Sequence, residues 1–107
     1  MTRHRRDPVR LGTSESSLQA VALGYQLRYY ELALLNGSDA AVTANMWFVP
    51  SGGSAGDANK ILEYSVRAKD TRVCDGTPFL NAEDQVIMTA SEADAVVAHL
   101  AVLGEGQ

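Results

Sequence analysis

The sequence predicts an all-β protein, a single small β-sandwich of jelly-roll or immunoglobulin-like type, with about seven short strands and an extended N-terminal arm. Three observations predict it. Apolar residues recur at every second position through most of the chain, which is the period of a half-buried strand. Clusters of Gly, Pro, Asn, Asp and Ser interrupt that alternation roughly every ten residues. The chain has 107 residues and is 46% hydrophobic, enough for one core and one domain. The expected division is an arm over 1–15, a sandwich over 16–104 and a tail over 105–107.

The first strand is predicted over 17–22, Ser-Leu-Gln-Ala-Val-Ala, closed by Gly24. The next, 25–35, alternates less cleanly. Its Leu, Glu and Ala content leaves a helix as a rival reading, and Asn36-Gly37-Ser38-Asp39 ends it in either case. Residues 40–49 alternate regularly, with Val42, Ala44, Met46 and Phe48 on one face and Thr43, Asn45, Trp47 and Val49 on the other. A hairpin around Asn36-Gly37 is the simplest connection between these two runs. Further strands are expected over 60–68, with Leu62, Tyr64, Val66 and Ala68 facing the core, and over 71–74, 85–90 and 95–103. In the last, Val96, Ala98, Leu100 and Val102 alternate with Val97, His99, Ala101 and Leu103. Ser91 and Asp94 also suit a helix cap, but β-branched valines at a period of two favour strand. Phe48 and Tyr64 are expected inside the core.

The net charge of −4 is unevenly placed. Residues 1–10 hold Arg3, Arg5, Arg6 and Arg10 against Asp7, a net of +3. The remaining 97 residues hold five basic and twelve acidic groups, a net of −7. A basic arm on an acidic body reads as an interaction tail whose target is acidic protein surface. Nucleic acid is disfavoured, because the body lacks the basic face with stacking aromatics that such binding uses. No apolar run is long enough for a bilayer-spanning helix, and the N-terminus shows no secretory h-region. Cys74 is the single cysteine, which excludes an internal disulfide.

Chemistry-bearing patterns are sparse. His99 and His4 are the two histidines and no zinc spacing is present. The acidic pairs fall in turns, where Asp is favoured for backbone reasons alone. The chain is therefore expected to be no enzyme and to use no cofactor or metal. Two features remain as candidate sites. Tyr25 and Tyr29 share a face with Trp47 if the strands that carry them pair, and interfaces enrich such residues. The loop after Pro50 contains Gly52, Gly53, Asp57 and Asn59 in a run of small residues, which is expected at the rim of the sandwich.

Several segments together resemble a family. These are Leu34-Leu35-Asn36, Met46-Trp47-Phe48-Val49-Pro50, the Ser51-Gly52-Gly53-Ser54-Ala55 loop with Asn59, Ile61-Leu62, and Asn81-Ala82-Glu83-Asp84-Gln85-Val86-Ile87. The pattern is similar to small β-sandwich domains of tailed-bacteriophage virion proteins, with Glu83 standing where those domains usually have glycine. The resemblance implies a structural virion protein made in the host cytoplasm. A capsid decoration or cement subunit bound to the major capsid or other virion proteins comes first, and a tail, neck or fibre accessory domain second. It also implies a homo-oligomer, with a trimer favoured. From the residues themselves, a carbohydrate-binding module stacking sugars on Tyr25, Tyr29 and Trp47 is the third reading.

Overall fold

The computed structural model of the protein describes residues 2–5, 8–20, 25–50, 52–76 and 84–106. Among the described residues, nine strands account for almost all of the regular structure: β1 (Thr2–Arg5), β2 (Val9–Arg10), β3 (Ser16–Ala20), β4 (Tyr25–Asn36), β5 (Val42–Val49), β6 (Lys60–Val66), β7 (Thr71–Gly76), β8 (Gln85–Ala90) and β9 (Val96–Gly106). They form two antiparallel sheets. The front sheet has the order β1-β9-β4-β7, with β2 also paired to β9, and the back sheet has the order β3-β8-β5-β6. Among these strands only β1–β2 and β5–β6 succeed one another within a sheet; every other connection crosses to the opposite layer. With β1 and β2 sharing one strand position, this is the winding of a jelly roll.

The alternation that predicts the strands also places the core. Leu32 and Leu34 on β4, Val42, Ala44 and Met46 on β5, Leu62 and Val66 on β6, Val86, Met88 and Ala90 on β8, and Val96, Ala98, Leu100 and Val102 on β9 all point between the sheets. Phe48 and Tyr64 depart from expectation: both are half-buried and pack against the edge of the core. Val49 is buried although it stands out of phase with Val42, Ala44 and Met46. At the open side between β6 and β7 the Arg72 guanidinium lies 3.9 Å from the centre of the Tyr64 ring and donates to Ser65 O at 3.3 Å. This cation–π contact joins the margins of the two sheets.

Two connections differ from the sequence reading. Residues 2–5 and 9–10 pair with β9, His4 opposite Val102 and Val9 opposite Ala98, and Leu11 is wholly buried in the core. The basic segment has no apolar alternation because its contribution is mainly backbone pairing, with Leu11 as its anchor. The second difference is the predicted hairpin at Asn36-Gly37. Strands β4 and β5 do not pair; they lie in different sheets.

The reason lies in Asn36, which is 2% exposed. Its Nδ2 donates to Ala40 O at 2.8 Å and to Val66 O at 2.9 Å, while its Oδ1 accepts from Ser38 N at 2.9 Å and Ser38 Oγ at 2.7 Å. The amide thus uses two donors and two acceptor sites. Val66 ends β6 in the back sheet, so these bonds form only if the chain turns across the sandwich. Neighbouring corners are tied to this one. Asn36 N donates to Asp70 O, Gly37 N to Ala95 O, Lys69 N to Ser38 O, Asp94 N to Leu11 O, Leu11 N to Val96 O and Ala90 N to Gly12 O. Lys69 and Asp94 hold φ values of 57° and 63°, a region that L side chains adopt at a cost, at the turns where these bonds are made.

Removal of the amide takes a donor from the buried Val66 O, while Ala40 O keeps the hydroxyl of Ser38. Asn36→Ala is expected to lower stability by about 1–3 kcal/mol in denaturant titration, the cost of unpairing a buried group. Leu11→Ala should cost about 2–5 kcal/mol by the same measurement, the range for emptying a fully buried leucine site; a change within error would show that Leu11 is no anchor.

Candidate protein-interaction surface

The two sheets present very different outer faces. On the front sheet, cross-strand partners fall in rows. Leu35 stands between Thr71 and Val97, and Val97 is opposite Arg10. In the next row Ala33 stands between Val73 and His99. In the third, Glu31 stands between Asp75 and Ala101, and Ala101 is opposite Arg5. The centre of this face is apolar and open to solvent: Val73 is 62% and Leu35 38% exposed. Two shallow hollows of about 500 and 300 Å³ run along it, both lined by Leu35. The first extends to Arg10, Glu92 and Val97, and the second to Glu31, Ala33, His99 and Ala101.

The outer face of the back sheet is mostly polar. Asn45 stands between Glu63 and Thr89, and Thr43 opposite Ser65. Asn45 Nδ2 donates to Thr89 Oγ1 at 3.4 Å, and Asn45 Oδ1 is buried with no hydrogen-bond partner. The apolar groups of this face are Ile61, which is 43% exposed, and the half-buried Trp47 and Ile87, which stand opposite each other. Lys60 Nζ lies 5.7 Å from the centre of the Trp47 ring and is ion-paired with Glu63.

The sequence-predicted residues separate in this architecture. Tyr25 and Tyr29 sit on β4 in the front sheet and Trp47 on β5 in the back sheet, so the strand pairing that would gather them on one face does not form. Of the arm residues, Arg3 is opposite Leu103 and Arg5 opposite Ala101 by register. Arg10 donates from Nη1 to Asp94 O at 2.9 Å, which gives it a tethering role within the chain. Arg6 lies outside the described residues.

The glycine loop is organised internally. Residues Asp57–Asn59 make one turn of 3-10 helix. Asn59 Oδ1 accepts from Gly56 N at 3.0 Å and Asn59 Nδ2 donates to Ser54 O at 3.0 Å. Gly53 N donates to Pro50 O at 2.9 Å, and Gly52 has φ 76°, where a side chain would be strained. Asp57 is exposed. Asn59 therefore shapes the loop, and no hydrogen bond described for this loop links it to another part of the sandwich.

The exposed apolar rows of the front sheet were not found by sequence reasoning. The signal was present in Ala33, Leu35, Val73 and Val97, but the expected hairpin put β4 beside β5 rather than between β9 and β7. Among the described residues no three His, Cys, Asp or Glu side chains gather as a metal site, and no helix is long and apolar enough to cross a membrane.

No family model matches the chain, and no curated protein matches it. Solved structures do. A chain from the Bacillus endospore appendages, described as a novel family of disulfide-linked pili, is similar over 98% of this chain and 87% of its own, with 13% identity and a TM-score of 0.56. A chain from the acid-stable capsid of Helicobacter pylori bacteriophage KHP30 is similar over 100% of this chain and 95% of its own, with 12% identity and a TM-score of 0.55. These likenesses are of fold: a small β-sandwich that spans nearly the whole of each neighbour.

The internal bonding of the loop gives a direct expectation. Asn59→Ala should speed amide exchange at Gly56 while lowering global stability by no more than about 1 kcal/mol, since its hydrogen bonds are exposed. Hydrogen exchange read by NMR, alongside a melting curve, checks both parts.

Proposed function

We propose that this chain is a non-catalytic structural subunit of a virus particle, and within that class a decoration or cement subunit on the head of a tailed bacteriophage. The observation that carries this reading is the reciprocal, near-complete overlap with the phage capsid chain, 100% of one and 95% of the other. The correspondence runs along nearly the full length of that capsid chain. The exposed Leu35 and Val73, beside the half-buried Val97, supply what a structural subunit needs, an apolar surface to be covered by protein. The partners are then the major capsid protein or other virion proteins, and the location is the virion.

A pilus subunit is the second reading, favoured by the Bacillus appendage chain. That structure is described as disulfide-linked. The present sequence has one cysteine, and Cys74 is 6% exposed within the core. Linking subunits into a covalent string takes at least two accessible cysteines on each, so this reading is the weaker. A sugar-stacking platform of Tyr25, Tyr29 and Trp47 loses its basis with the strand pairing it required.

Quantitative mass spectrometry of virions purified on a density gradient tests the proposal. A head decoration subunit is expected at on the order of hundreds of copies per particle, because closed symmetry repeats each site. A handful of copies would move the chain to a tail, neck or fibre, and absence from every particle fraction would overturn the virion reading.

A further inference from the structure

We propose that Asn36-Gly37 is a self-modification site, closed by the fold and opened by unfolding, whose deamidation makes loss of this structure irreversible with time. It is the single Asn-Gly pair of the chain; Asn45, Asn59 and Asn81 precede Met46, Lys60 and Ala82. In such a pair the glycine nitrogen can attack the asparagine side-chain carbonyl carbon, because glycine has no Cβ to hinder the approach. A bond forms between Gly37 N and Asn36 Cγ, and the proton of Gly37 N passes to a base in solvent. The bond from Cγ to Nδ2 breaks, and Nδ2 takes up a proton and leaves as ammonia. Water then opens the five-membered imide at either carbonyl. One product is aspartate. The other is isoaspartate, in which the main chain runs through the former side chain.

The folded sandwich opposes each step. Gly37 N donates to Ala95 O at 3.0 Å, so the attacking nitrogen is held on another corner. Asn36 ends β4 and is extended, whereas ring closure needs the backbone turned until Gly37 N meets Cγ. The amide plane is fixed by bonds from Nδ2 to Ala40 O and Val66 O and by bonds to Oδ1 from Ser38 N and Ser38 Oγ. Asn36 is buried, which keeps water from Cγ. Gly37 is itself exposed, so the protection lies in fixed geometry and not in shielding of the whole turn. Val66 and Ala95 lie far along the chain from this pair. Their contacts exist only in the folded protein, and unfolding removes them together.

Neither product fits the site. A carboxylate has no donor for Val66 O, and a charge buried against carbonyl oxygens is unfavourable. Isoaspartate adds a main-chain carbon between Asn36 N, bound to Asp70 O, and Gly37 N, bound to Ala95 O, so the two corner bonds lose their common register. Glycine is not required at 37 for shape. Its φ lies outside the left-handed region, and an added Cβ would meet no atom within 4 Å. Gly37→Ala therefore separates the chemistry from the packing. The inference holds for any assembly this chain serves.

The test incubates the full chain, native or unfolded in guanidinium chloride, at one mildly alkaline pH and temperature. Mass spectrometry of the peptide containing Asn36 reads deamidation as a mass gain; isomerisation at Asp75-Gly76 leaves mass unchanged. The unfolded chain is expected to convert roughly tenfold faster or more than the native one, because only the unfolded backbone is free to close the ring. On dilution, circular dichroism should show refolding that declines in step with conversion, and the refolded fraction should retain the amide. Gly37→Ala should melt like the parent, keep its amide roughly tenfold longer or more when unfolded, since its Cβ hinders the attack, and still refold after the same incubation. Equal rates in native and unfolded protein overturn the proposal. So does full refolding of converted chain, or a Gly37→Ala variant that loses refolding as fast as the parent. Failure of freshly unfolded parent chain to refold also overturns it, since irreversibility then precedes the chemistry.

Discussion

The side-chain amide of Asn36 fixes where the chain leaves one sheet for the other. It is buried, and a buried primary amide without partners costs several kcal/mol. Its four hydrogen bonds reach Ser38, Ala40 and Val66, groups brought together only when β4 ends above β6 and the chain descends into β5. A hairpin between β4 and β5 would leave Val66 O out of reach. The amide therefore selects a crossing connection over a local one. Once that corner is set, Asn36 N binds Asp70 O and Gly37 N binds Ala95 O, so the β6–β7 and β8–β9 corners are held to it directly.

That choice decides the character of each outer face. With β4 placed between β9 and β7, the residues out of phase with the core, Ala33 and Leu35, meet Val97, His99, Val73 and Thr71. With β5 placed between β8 and β6, its out-of-phase residues Thr43 and Asn45 meet Ser65, Glu63 and Thr89. Had the two strands paired, aliphatic and polar positions would have mixed on one surface. Their separation puts Ala33 and Leu35 beside Val73 and Val97 on the front sheet while Ile61, Trp47 and Ile87 stay on the back one, so the corner that stabilises the fold also shapes both outer faces.

Much of the fold was legible because a strand's period of two is written in each run separately. Strands β5, β6, β8 and β9 and their buried residues, Val42, Met46, Leu62, Val66, Val86, Met88, Val96 and Leu100 among them, follow from alternation alone. What alternation does not encode is which runs become neighbours. Asn36-Gly37 carries the local signature of a hairpin, and the long-range bond from Asn36 to Val66 has no local signature. The aromatic grouping of Tyr25, Tyr29 and Trp47 rested on that unencoded choice. Strands β1 and β2 were missed for a related reason: backbone pairing to β9 requires no particular side chains. Asn59, by contrast, was marked by sequence as part of a loop, and its two side-chain bonds show it to be a local brace.

The sheet margins bear on why a face, rather than an edge, is the surface left to cover. An open edge strand invites pairing with another chain. Beside β9 the front sheet is extended by β1 and β2, and Arg10 of β2 puts a charge on that side. On the opposite side Arg72 of β7 bends over Tyr64 of β6, and β6 carries a register irregularity beside Trp47, a device that interrupts regular pairing. Charge and irregular register at the margins discourage growth by strand addition, which would be indefinite. The apolar rows of Leu35 and Val73 lie on the broad face, away from these interrupted margins, so the exposed apolar surface of the front sheet is separated from the backbone groups that an added strand would need.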